Sequence, residues 1–197
     1  MNWYRTASKD EEFEKMVEFF KKRTKRHIDL VKKYCKLAAE WDPERFGKLV
    51  ERGEEHDASK YEDPEFEPYV YVTWKHKCKD DGKKFDPPEG IDEAMVEATE
   101  HHVKNNSHHP ESHCARKTDL VNPDNRDKPP EDPVDAKEMG QLDLAEMVCD
   151  WCAMGEERGN TPREWADKNI GKRWIFTDKQ KDLVYEVMDA VWKDGKK

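Results

Sequence analysis

The chain has 197 residues (23.4 kDa), of which 41% are charged and 35% hydrophobic, and its mean hydropathy is -1.21. Long stretches of helical apolar periodicity exclude a disordered chain, and the lack of any apolar run near ~18 residues predicts no membrane span. A formal charge of -9, from 36 Lys+Arg against 45 Asp+Glu, speaks against general nucleic-acid binding.

Five cysteines without a framework and a first segment with no apolar leader predict a reducing, cytoplasmic setting. The first predicted helix covers about 10–41. Ser8 and Glu11 have capping-box spacing, and Phe13, Met16, Phe20, Thr24, His27, Val31, Tyr34 and Ala38 step by three or four along one face. Asp42-Pro43 reads as the N-cap and first residue of a second helix ending near residue 53. Asp63-Pro64 repeats the signal for a third helix toward residue 79. Two prolines mark 85–90 as a loop, and a fourth helix follows over 91–105. The stretch 107–133 is aperiodic and rich in Pro, Asn, Asp and Lys, which predicts a long functional or mobile excursion. A fifth helix is expected over 136–157, a sixth from Thr161-Pro162 and a seventh from Thr177-Asp178. Strand-like alternation is nearly absent. The expected fold is therefore an all-α bundle of six to seven helices in a single domain, with a loop insertion at 107–133.

The histidines are concentrated. Five lie between 101 and 113: His101, His102, His108, His109 and His113. His27 falls on the apolar stripe of the first helix, and His102 is in register with Ile91, Met95 and Ala98. Glu146 and Asp150 are one turn apart beside Leu142, Cys149 and Ala153, in a stretch expected to be buried. Buried carboxylates need cations, donors or metal. A lone His on an apolar face is more often a hydrogen-bonded core residue, so it is the joint placement of these groups that argues for a metal site in the bundle. The single C-x-x-C, Cys149 and Cys152, lies mid-helix and is read as packing.

His27, then His56-Asp57, then Asp150, on successive helices, resembles the HD superfamily of metal-dependent phosphohydrolases over about residues 10–157. The string His56-Asp57-Ala58-Ser59-Lys60 is similar to the HDxxK variant. The further imidazoles His102 and His108 or His109 resemble the two-metal branch. The stretch from His101 to Glu111, with Glu146 to Trp151, most resembles a small uncharacterised HD-like family of phages and bacteria. The glycine-tyrosine-proline signature of cyclic-di-GMP hydrolases and the Glu-Asp dipeptide of alarmone hydrolases are both missing.

The resemblance implies an HD-like bundle holding one or two divalent ions (Mn, Fe, Co, Zn, Ni or Mg). His27, His56, Asp57 and Asp150 would hold the first ion. Asp57 would bridge to a second held by His102 and His109, with His101, His108 and Glu146 as alternative ligands or ligand-orienting groups. Asp57 and Lys60 would be catalytic, and Lys60, Lys104, Arg116 and Lys117 would meet substrate phosphate. The implied activity is hydrolysis of a nucleotide or other small phosphate ester by a metal-activated water. The alternatives are an HD-fold di-iron oxygenase and a non-enzymatic module stapled by metal.

Overall fold

A computed structural model describes residues 3–114 and 132–193, with residues 3–10 described by backbone alone. The class is all-α, as expected, with one two-residue parallel sheet among the described residues. Helix α1 (Trp3–Trp41) starts earlier than the capping-box spacing suggests, so Ser8 and Glu11 lie within helical backbone and do not begin the helix. Asp42 does cap: its side chain accepts from the Arg45 N–H at 3.1 Å, and Pro43 occupies the first helical position.

The expected second helix is two short ones, α2 (Pro43–Phe46) and α3 (Leu49–Glu55). The break falls at Gly47, where a Cβ would lie only 2.7 Å from the Pro43 carbonyl oxygen. It lets Phe46 and Leu49 both reach the core, each 0% exposed. A 3-10 helix (Ala58–Tyr61) follows, and α4 (Phe66–Asp80) begins two residues beyond Pro64. Asp63-Pro64 is thus part of the turn before the helix and not its cap.

Helix α5 (Ile91–Asn105) matches the expected limits and buries Ile91, Met95, Ala98 and His102 on one face. Most of the expected 107–133 excursion, residues 115–131, lies outside the described residues. Pro110–His113 form a second 3-10 helix, and β1 (Val134–Asp135) pairs in parallel with β2 (Trp174–Ile175). Because the Ala136 N–H is bonded to the Ile175 carbonyl at 3.0 Å, α6 (Gln141–Arg158) starts later than residue 136. Helices α7 (Pro162–Asn169) and α8 (Asp178–Val191) begin where the Thr-Pro and Thr-Asp signals place them, and Thr177 with Gln180 forms a capping box.

The main core gathers Val31 and Ala38 of α1, Phe46, Leu49, Leu144, Val148 and Val184 around α6. A second cluster joins Met16 and Phe20 of α1 to Val70 of α4. Between them the buried face of α1 carries two polar residues, Thr24 and His27. The centre described below occupies this interruption between two apolar cores.

Gln180 ties α8 to the segment leading into α6. Its Nε2 donates to the carbonyls of Ala136 (3.2 Å), Lys137 (3.0 Å) and Met139 (2.9 Å), while its Oε1 accepts from the Thr177 N–H at 2.8 Å. Gln180→Ala removes the cap and strands buried carbonyls, so it should destabilise the fold by roughly 2–4 kcal/mol. Urea unfolding measures this, and a loss below ~0.5 kcal/mol would mean that water takes over these bonds.

Candidate metal centre

Helix α3 stops at Glu55, and the next two residues point inward. His56 leaves the helical region (φ -54°, ψ 128°) and Asp57 is left-handed (φ 57°), a conformation that Asp tolerates better than most side chains. Both are buried, at 3% and 2% exposure. Asp57 is the hub. Its Oδ2 lies 3.9 Å from His27 Nε2 and 3.7 Å from His56 Nε2. Its Oδ1 lies 3.2 Å from His102 Nε2 and 3.7 Å from His108 Nε2. The ring of His109 lies 4.3 Å from that of His108 and 4.8 Å from that of His102, centroid to centroid.

Three groups of potential ligands result: His56, His108 and Glu146 form one, and the other two meet at Asp57. One atom each from His27, His56 and Asp57 lie within 4.8 Å of one another, and so do atoms of Asp57, His102, His108 and His109. Asp150 Oδ1 borders the first set, 3.0 Å from His27 Nε2. The fit to metal rests on unsatisfied donor atoms: His56 Nε2, Asp57 Oδ1 and His109 Nε2 are buried with no hydrogen-bond partner. Buried imidazole and carboxylate groups of this kind can hold a divalent ion.

Outer contacts aim the imidazoles. His56 Nδ1 is 2.9 Å from Glu146 Oε1, and His102 Nδ1 is 2.8 Å from Glu65 Oε2. Glu157 Oε2 lies 3.4 Å from His27 Nδ1, an ion-pair distance without hydrogen-bond geometry. Each contact turns the far nitrogen toward Asp57. Lys60 Nζ donates to Asp57 Oδ2 at 2.5 Å and lies 5.5 Å from the centre of the Tyr69 ring.

Burial opposes every charge in this pocket, yet neighbours decide the outcome. Lys60, His56 and His102 outweigh burial and hold Asp57 well below the usual carboxylate range. Asp57 likewise outweighs burial at Lys60 and raises it. At His27, contacts with Asp150 and Glu157 overcome burial and raise it to about 9. At His109, burial and the neighbouring His108 and His102 act together and push it well below its ordinary value. In the metal-free protein at pH 7.5, His27 is therefore charged and His109 neutral. Metal needs the lone pair of His27, so binding at that pH should release about one proton from it. Apparent affinity should rise with pH up to about 9 by as much as ~10-fold per unit, then level off. Calorimetry in two buffers of different ionisation enthalpy tests this, and zero proton release would contradict it.

The fold brings some of the sequence candidates together and leaves others apart. His27, His56, Asp57, His102, His109 and Asp150 all converge. His108 and His109 both face Asp57, so the adjacent pair contributes two rings where one was expected. His101 does not join. It is bonded through Nδ1 to Glu65 Oε1 at 2.7 Å, with its side chain 38% exposed. Lys104 is turned to backbone carbonyls. Its ammonium donates to the Glu111 carbonyl at 2.8 Å and to the Cys114 carbonyl, closing the loop that carries His108 and His109. Arg116 and Lys117 lie outside the described residues. Glu65 and Arg52 were not anticipated. Glu65 sits among other acidic residues and carries no sequence signal, whereas Arg52, four residues before His56, could have been sought as the cation for Glu146.

A model of DUF5662, a family of unknown function, matches residues 16–192. The chain belongs to this family. The matched span includes every residue of both ligand sets, from His27 to His109, and Asp150 beside them. No curated protein and no solved structure matches the chain.

Proposed function

We propose that this member of DUF5662 is a metal-dependent phosphohydrolase of the HD type, acting on a nucleotide or another small phosphate ester. The observation that carries this reading is the position of Asp57. Its two oxygens face two separate sets of imidazoles, and Lys60 stands against one of them at 2.5 Å. Mn, Fe, Co, Zn, Ni or Mg bound there would supply an acidified water and polarise a phosphoryl oxygen. Asp57 bridges the two sets. His27, His56 and Asp150 complete one side, and His102, His108 and His109 the other. Lys60 supplies a point charge for the phosphoryl oxygens, held one turn beyond Asp57 by the 3-10 helix and screened on one side by Tyr69. The side chains of Asp150 and Lys60 are 17% and 20% exposed, which supports a centre open to substrate over a closed structural staple.

The test is a screen of nucleoside mono- and triphosphates, cyclic nucleotides and an aryl phosphate with Mn²⁺, Fe²⁺ and Co²⁺. Phosphate-ester cleavage that is metal-dependent and blocked by chelator is the expected result. No cleavage of any of them, with oxygen consumed by the iron form, would replace this reading with an HD-fold di-iron oxygenase.

Lys60→Ala separates metal from substrate. The ammonium competes with metal for Asp57 Oδ2, so the variant should bind metal at least as tightly as wild type. Its turnover of phosphate substrates should fall by about 10²-fold. A variant that loses its metal would disprove the place given to Lys60 beside the substrate.

A further inference from the structure

One carboxylate touches an imidazole of each ligand set. Glu146 Oε1 lies 2.9 Å from Nδ1 of His56, which belongs to the Asp57 Oδ2 side, and 3.4 Å from Nδ1 of His108, which belongs to the Oδ1 side. The two rings lie 4.3 Å apart, centroid to centroid. The other oxygen, Oε2, accepts from Arg52 Nε at 2.6 Å. Arg52 is itself held, donating to Asp143 Oδ1 at 2.7 Å and Ser107 Oγ at 2.8 Å. Glu146 is 4% exposed.

We propose that Glu146 is the common positioning residue of both metal subsites, and that Arg52 fixes which of its oxygens serves them. The proposal rests on the metal centre of the preceding section. A carboxylate only accepts hydrogen bonds, so His56 Nδ1 carries its hydrogen toward Glu146, and the 3.4 Å ion-pair approach to His108 Nδ1 favours the same tautomer there, which leaves both Nε2 atoms to offer a lone pair toward Asp57. Arg52 only donates, so Oε2 must stay an acceptor.

Glutamine at 146 meets a conflict. With its oxygen toward the histidines, its NH₂ opposes the Arg52 N–H. With its oxygen toward Arg52, its NH₂ meets both Nδ1 atoms and drives both rings to the tautomer that puts hydrogen, not a lone pair, toward the metals. Glu65 provides the contrast. It serves one ligand, His102, and its other oxygen meets half-exposed His101, which can carry its proton on either nitrogen. Glutamine at 65 can keep its oxygen on His102 and donate to His101. A general loss from neutralising a buried carboxylate would affect both positions alike, and the tautomer argument would not.

The experiment titrates Mn²⁺ into the metal-free 197-residue chain by calorimetry and by electron paramagnetic resonance. Circular dichroism and thermal melting report folding. Wild type should take up two ions. Glu146→Gln should weaken both by about 10–100-fold, and Glu65→Gln should cost less than about tenfold at either. Arg52→Met combined with Glu146→Gln frees the amide to present its oxygen to the histidines, and should bind Mn²⁺ more tightly than Glu146→Gln alone. The proposal is overturned if Glu146→Gln binds two ions like wild type or loses only one, if Glu65→Gln is as damaging, or if the double variant is no tighter than the single. A wild-type chain that binds no Mn²⁺ overturns the metal centre with it. The expected Mn²⁺ pattern without any phosphate-ester cleavage would sink the hydrolase reading and leave this one standing.

Discussion

Replacing Asp57 by Asn should lower metal-dependent phosphate release by at least about 10³-fold, because the carboxylate that belongs to both ligand sets loses its charge. Asn is the informative substitution. It tolerates the left-handed backbone at this position (φ 57°), whereas Ala would add backbone strain to the chemical change. The metal-free variant should also be less stable. Lys60, 2.5 Å from Asp57 Oδ2, loses its carboxylate partner at a partly exposed position. The side chain of Lys60 is 20% exposed, so the loss should stay near 1–3 kcal/mol, below that of a fully buried broken pair. Turnover assays and urea unfolding of the chelated protein give the two numbers. Activity within tenfold of wild type would remove Asp57 from the mechanism.

Metal should stabilise the fold strongly. The ligands come from α1, the turn after α3, α5, the loop beyond it and α6, and the unfolded chain does not hold them together. At a free metal concentration of 100 times Kd, each bound ion should add about 2.7 kcal/mol. For a chain of this size that raises Tm by roughly 5–10 °C per ion. Chelator should reverse the shift, and Asp57→Asn should show less of it. Melting curves with and without Mn²⁺ decide the matter. A Tm that ignores metal would mean that the unsatisfied nitrogens of His56 and His109 serve another purpose.

Much of the bundle could be read from local rules. The α1 stripe, the limits of α5 and the Thr161 and Thr177 caps depend on neighbours within a turn, so spacing and capping chemistry suffice. Where reading failed, a distant partner had intervened. Ala136 is held by Ile175, so α6 starts late. Phe46 and Leu49 both enter the core, so the expected second helix breaks at Gly47.

The candidate site divides in the same way. The sequence by itself determined which groups were candidates, because imidazoles and carboxylates on apolar faces stand out against the cost of burying them. It determined that His102, and not His101, lies on the buried side of α5, because helical periodicity assigns one of the two neighbours to the core. Only the tertiary structure decided that His108 and His109 both face Asp57, since they lie beyond the helix, where no period constrains direction. It alone turned Lys104 onto the Glu111 and Cys114 carbonyls and brought Glu65 and Arg52 behind the ligand histidines. Those contacts join residues up to 94 positions apart, as Arg52 meets Glu146, and only the packing of α3 against α6 brings such residues within hydrogen-bonding distance.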